Sequence, residues 1–180
     1  MTPELDELVA LFESEGATAL YDEVVTEREH ALQAAQLAEA SGASDATVAA
    51  ALLHDVGRLL IGADVGLLAA DRAHDEVGER YLRRWFGPEV TAPVGLHVEA
   101  KRYLCATEPD YLGRLSAVSV RSLDVQGGPM NEAEVEAFRA GEGWESAVQL
   151  RRWDDEAKRE DHRTKAVADY RPMLERLVDR

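Results

Sequence analysis

The chain has 180 residues, 20 Lys and Arg against 35 Asp and Glu, a formal charge of −15 and one cysteine. That length suits one domain, residues 1–180, able to fold without disulfides or a structural metal. So acidic a surface repels phosphate backbones and anionic membranes, and no apolar run nears the roughly 20 residues of a membrane span.

The N-terminal stretch MTPELDELVALFESEG is acidic, lacks the features of a secretory signal, and spacing predicts a helix over about 3–15. The lone Cys105 fits a reducing compartment. The expectation is a cytoplasmic protein without nucleic-acid or membrane partners. Further helices are predicted at about 26–41, 45–56, 73–86, 88–105, 115–125, 132–140, 144–158 and 165–179, with ends uncertain by roughly 2–4 residues. Good helix formers dominate these segments and no convincing period-two strand appears, so the fold class is all-α. Ser44 and Asn131 are candidate N-caps, Gly57 a candidate helix stop, and Pro88 suits a first turn.

Four of the five histidines fall on apolar stripes. His30 aligns with Ala34, Leu37 and Ala38; His74 with Val77 and Tyr81; His97 with Pro93, Val94 and Leu104. His54 closes the small apolar run from Val48 to Leu53, and Asp55 follows it. His162 has charged helical neighbours and is read as a surface residue. One inward histidine is ordinarily a core residue bonded to a carbonyl. Four together need a shared partner, and a divalent metal satisfies them all, imidazole being the commonest metal ligand.

Carboxylates complete the set. Asp55 ends an apolar helix, where its charge calls for a cation and could bridge two. Asp154 shares a stripe with Ala147, Leu150 and Ala157, whereas Asp155 aligns with Arg151, Arg152, Lys158 and Arg159, a face read as solvated. The candidate ligands are therefore His30, His54, Asp55, His74, His97 and Asp154, enough for two metals. Nitrogen and oxygen donors without thiolate suit iron, manganese or zinc. Lys101, one turn after His97, can reach an anion bound at those metals, although a solvated helix lysine would look the same.

The order H…HD…H…H…D, with the stretches VTEREHALQAA, ALLHDVGRLL, HDEVGERYLRRWFGPEV, PVGLHVEAKRYLCATEPDYLGRLS, SLDVQGGPM and LRRWDDEAK, resembles the HD-domain superfamily. Within it the chain resembles the mixed-valent diiron oxygenases that act on 1-hydroxyphosphonates, such as 2-amino-1-hydroxyethylphosphonate dioxygenase, and more distantly myo-inositol oxygenase. The matching stretches span about residues 21–158. The resemblance implies a compact helical bundle carrying two iron ions, Fe(II)/Fe(III), with dioxygen as co-substrate. One iron would be held by His30, His54, Asp55 and Asp154, the other by Asp55, His74 and His97. The implied reaction cleaves the C–P bond of a small anionic 1-hydroxyphosphonate to phosphate and a carboxylic acid.

The resemblance also carries substrate contacts: Lys101, Ser119, Ser122 and Gln126 in the pocket, with Tyr21 and Glu23 as a lid before the first metal histidine. The lid stretch, Tyr21-Asp22-Glu23, is one residue shorter than the family's Tyr-x-x-Glu. Arg58 stands where the aminohydroxyethylphosphonate enzyme has His; a guanidinium can grip a phosphonate bidentately, which suggests a different hydroxyphosphonate. The same Arg suits the alternative, a metal-dependent HD phosphohydrolase acting on a nucleotide or another phosphate monoester. Oligomeric state is not legible in the sequence.

Overall fold

A computed structural model describes residues 3–20, 24–61 and 73–178, with side chains from residue 5 onward. The described residues form ten α-helices and no extended sheet. In chain order they are α1 (Pro3–Glu13), α2 (Glu27–Ala40), α3 (Asp45–Leu53), α4 (Val56–Ile61), α5 (His74–Leu82), α6 (Pro88–Thr107), α7 (Ala117–Val125), α8 (Glu132–Ala140), α9 (Trp144–Glu156) and α10 (Val167–Leu177). The all-α expectation holds, and among the described residues no helix is long and apolar enough to cross a membrane.

Local chemistry sets the helix ends. Thr26 caps α2 in a capping box with Glu29, Ser44 caps α3 by accepting from Thr47 N–H, and Asn131 forms a box with Glu134. Pro88 starts α6 in the first turn. Gly127 and Gly128 turn the chain out of α7 with φ of 102° and 74°, backbone angles that favour glycine.

One expected boundary is wrong in an informative way. The predicted helix over 45–56 stops at Leu53, turns through His54-Asp55 and resumes as α4. Gly57 does not end a helix but lies inside α4, buried against α5. A Cβ at Gly57 would sit 1.9 Å from the carbonyl oxygen of His74. Gly78 of α5 faces it, its own Cβ position 3.3 Å from Gly57 N, so the two backbones meet almost directly.

The long helix α6 is the central element: α9, α5 and α3 all pack on it, while α2 packs on α3 and α9. The larger apolar cluster includes Leu5, Leu8 and Phe12 of α1, the alanines of α2 and α3, and Tyr170 and Leu174 of α10. A second cluster forms around Tyr103, Leu104, Phe138 and Ala147. The inner faces of α2, α5, α6 and α9 and the turn after α3 converge, and each brings two or three polar side chains into an otherwise apolar interior.

Candidate metal centre

The six candidate ligands meet in the interior, all less than a tenth exposed. They form two groups, His30–His54–Asp154 and Asp55–His74–His97. In the first, His30 Nε2 lies 3.1 Å from His54 Nε2 and 3.2 Å from Asp154 Oδ1. In the second, His74 Nε2 lies 2.9 Å from His97 Nε2. Asp55 stands between them with one oxygen toward each: Oδ2 is 3.3 Å from His54 Nε2, and Oδ1 is 3.2 Å from His74 Nε2.

Backbone partners fix the tautomers. Nδ1 of His30, His54 and His97 faces the carbonyls of Ala157, Ala51 and Val94 at 3.0, 2.9 and 2.7 Å. A carbonyl only accepts, so each Nδ1 must carry its proton and donate it, and in the neutral ring Nε2 then bears a lone pair. Two such lone pairs 3.1 Å apart, as on His30 and His54, repel unless a proton or a metal ion lies between them. Asp55 Oδ2 is also buried and, among the described residues, meets the His54 imidazole at 3.3 Å, outside good hydrogen-bond geometry. Neighbouring donors around an octahedral ion with bonds of about 2.1 Å lie about 3.0 Å apart, close to these spacings. The donor set therefore fits two divalent ions of the nitrogen- and oxygen-preferring kind.

The electrostatics agree. Burial lowers the pKa of His54, yet the carboxylates of Asp55 and Asp154 override it and hold the imidazolium to about 9. Burial raises Asp55 and Asp154, but His54 and His74 around Asp55, and Arg151 with His30 around Asp154, keep both carboxyls well below their usual range. His97 is pushed well below the usual imidazole value, by burial first and by His74 beside it. The site is built to hold positive charge.

A pocket opens onto the second group, with Asp55, His74, His97 and Asp154 at its floor. All five predicted substrate contacts, Arg58, Lys101, Ser119, Ser122 and Gln126, line it. Lys101 is 3% exposed, and its Nζ donates to Ser122 Oγ at 2.6 Å, while that hydroxyl donates to the Ser119 carbonyl at 3.0 Å. Arg58 Nε donates to Glu27 Oε1 at 3.1 Å. Burial raises the Glu27 carboxyl, and the Arg58 charge opposes that rise. Tyr21 and Glu23 lie outside the described residues. His162 is exposed, as expected, and faces Gln36 Oε1 at 3.2 Å.

Two lining residues escaped the sequence reading. The face of Arg151 and Asp155 is not solvated: Arg151 is buried, and its guanidinium donates to Asp154 Oδ2 at 2.6 Å, to Tyr111 Oη at 3.2 Å and to Asp155. Tyr111, from the segment after α6, covers this face and donates to Asp155. Charge periodicity cannot distinguish a buried ion network from a wet surface. Lys158, also counted as solvated, lies beyond the end of α9 and donates to Ser119 Oγ at 3.4 Å inside the pocket. Its place in LRRWDDEAK, four residues after Asp154, was the signal available.

Comparison with known proteins agrees with this geometry. The HD-domain model matches residues 28–170. The chain is 41% identical over 179 residues to the hydroxymethylphosphonate dioxygenase of Gimesia maris, covering 97% of this chain and 89% of that protein. It is 38% identical over 174 residues to the glycine-betaine-forming [1-hydroxy-2-(trimethylamino)ethyl]phosphonate dioxygenase of Leisingera caerulea, covering 94% and 88%.

Proposed function

The chain belongs to the HD-domain family, and from that premise we propose that it is a dioxygenase that cleaves the C–P bond of a small 1-hydroxyphosphonate, with two iron ions as cofactor. Two relatives that match nearly the whole chain are named as dioxygenases of such compounds. In this reading His30, His54, Asp55 and Asp154 would hold one iron, and Asp55, His74 and His97 would hold the other. Residues 1–180 act as one HD domain.

The observation that carries the substrate class is the cation set. Arg58, Lys101, Arg151 and Lys158 line one pocket whose floor is the Asp55–His74–His97 group. Arg58 and Arg151 pair with Glu27, Asp154 and Asp155, while the Lys101 and Lys158 ammoniums each donate to a serine hydroxyl in the pocket, where an anion can add charge-assisted contacts. A phosphonate bound there meets the Lys101 and Lys158 ammoniums and the Ser119 and Ser122 hydroxyls. Those contacts orient the C1 hydroxyl and its hydrogen toward the His74–His97 side, and the buried walls limit water at the reacting carbon. The iron pair with dioxygen supplies the oxidising chemistry. The products are phosphate and the carboxylate left by C1; for hydroxymethylphosphonate that is formate, with one O2 consumed.

Hydroxymethylphosphonate, presented to Fe(II)-loaded protein in air and under argon, tests the reading. Phosphate release should require oxygen and match the formate formed one to one. Equal phosphate release without oxygen would overturn the oxygenase and leave a hydrolase.

A further inference from the structure

The segment leaving α9 has little regular structure of its own, yet it carries two parts of the site. Ala157 supplies the carbonyl facing His30 Nδ1, and Lys158 sends its ammonium to Ser119. The chain turns sharply here: Ala157 has φ −80° and ψ 45°, and Lys158 N–H donates to the Glu156 carbonyl at 2.9 Å, an inverse γ-turn. One such bond holds a segment weakly.

Gln33 supplies the missing restraint. It lies one turn after His30 on α2 and is 3% exposed. Its Oε1 accepts from Arg159 N–H at 2.9 Å, and its Nε2 donates to the Arg159 carbonyl at 3.0 Å. Both ends of one amide are thus satisfied by one backbone residue, as a neighbouring β-strand would satisfy it. Helix α2 grips the segment twice, through His30 at Ala157 and through Gln33 at Arg159, and Lys158 is the residue between the grips.

We propose that Gln33 is a positioning residue of the centre, holding residues 157–159 so that the Ala157 carbonyl stays on His30 and the Lys158 ammonium stays in the anion pocket. The Lys158 half rests on the anionic substrate class proposed above; the His30 half does not. Two titrations separate them. Gln33→Met keeps the side-chain length and removes both hydrogen bonds. With Fe(II)-loaded protein under argon, this change should weaken inorganic phosphate binding about tenfold, the scale of one charge-assisted contact. Lys158→Met should do the same, and the double variant should be no weaker than Lys158→Met alone. Binding of Fe(II) itself should weaken by about tenfold in Gln33→Met, the range for a lost partner behind a metal histidine.

Phosphate affinity that is unchanged, or losses that multiply in the double variant, would overturn the link to Lys158; unchanged Fe(II) affinity would overturn the link to His30. If the parent protein binds no phosphate, the substrate class fails and the Fe(II) titration still decides the His30 link. If Gln33→Met does not fold, Gln33→Glu, which keeps only the acceptor, should give smaller losses in the same two titrations. No loss in either overturns the proposal.

Discussion

Replacing Arg151 tests whether the centre depends on a charge the sequence placed at the surface. Its side chain is 5% exposed and that of Asp154 is 1% exposed, so Arg151→Met removes a buried partner rather than a surface ion pair. Met occupies much of the same volume, which separates lost charge from lost packing. Breaking one side of a buried pair costs about 3–5 kcal/mol, because the remaining charge stays desolvated. At about 2–4 °C per kcal/mol for a chain of this size, metal-free protein should melt about 6–20 °C lower in calorimetry. Arg151 also holds the Asp154 carboxyl down against burial, so its loss raises that pKa and makes a proton compete with metal nearer neutral pH. Fe(II) affinity should fall about 10- to 100-fold at pH 7 and recover partly at higher pH. A melting temperature within about 1 °C of the parent would refute the buried-pair reasoning. A lower melting temperature with unchanged Fe(II) affinity would show that the pair supports the fold without orienting Asp154.

Asp55→Asn should strip iron from both groups, whereas His97→Ala should spare the His30–His54–Asp154 group; iron stoichiometry after loading distinguishes the two outcomes, and equal loss in both would refute the shared carboxylate. Gly57→Ala places a methyl 1.9 Å from the His74 carbonyl, so the α4–α5 contact must open. It should cost about 3 kcal/mol or more by denaturant unfolding, above the usual range for overpacking because the obstacle is backbone. Tyr111 is 4% exposed, and burial raises its phenol far above the ordinary value. The folded state therefore keeps a proton that the unfolded chain loses near pH 10, and stability falls as pH rises beyond that point. Tyr111→Phe should flatten the fall between pH 10 and 11.5 by about 1.4 kcal/mol per pH unit, measured from denaturant midpoints.

Most helices were legible because their signals are local. Ser44, Asn131 and Pro88 act within one turn of the boundaries they mark, and no distant contact overrides them. The break at His54-Asp55 was not legible. A glycine after a helix ordinarily stops it, but Gly57 is required where α4 meets the His74 carbonyl, a contact made across a sequence gap. The buried candidate ligands were legible for a related reason: an imidazole or carboxylate on an apolar stripe contradicts its surroundings, and that contradiction is visible in one helix. Arg151, Asp155 and Lys158 carry no such mark. Their helix face is charged throughout, and only Tyr111 and the turn at Ala157 reveal that part of it is indoors.

The opening charge of −15 describes the exterior and misleads about the pocket. Four cations line it, but Asp154 and Asp155 neutralise Arg151, Glu27 faces Arg58, and Asp55 sits on the floor. Counting Arg58, Lys101, Arg151 and Lys158 against Glu27, Asp55, Asp154 and Asp155, four cations meet four carboxylates, and the His54 imidazolium adds one positive charge. Lys101 and Lys158 donate to the Ser122 and Ser119 hydroxyls. An anion entering such a pocket finds directional donors, and divalent ions in the two groups would add to their attraction. On the proposed reading a bound metal would also draw the small anion in, so that substrate affinity and metal occupancy are tied together by the same carboxylates.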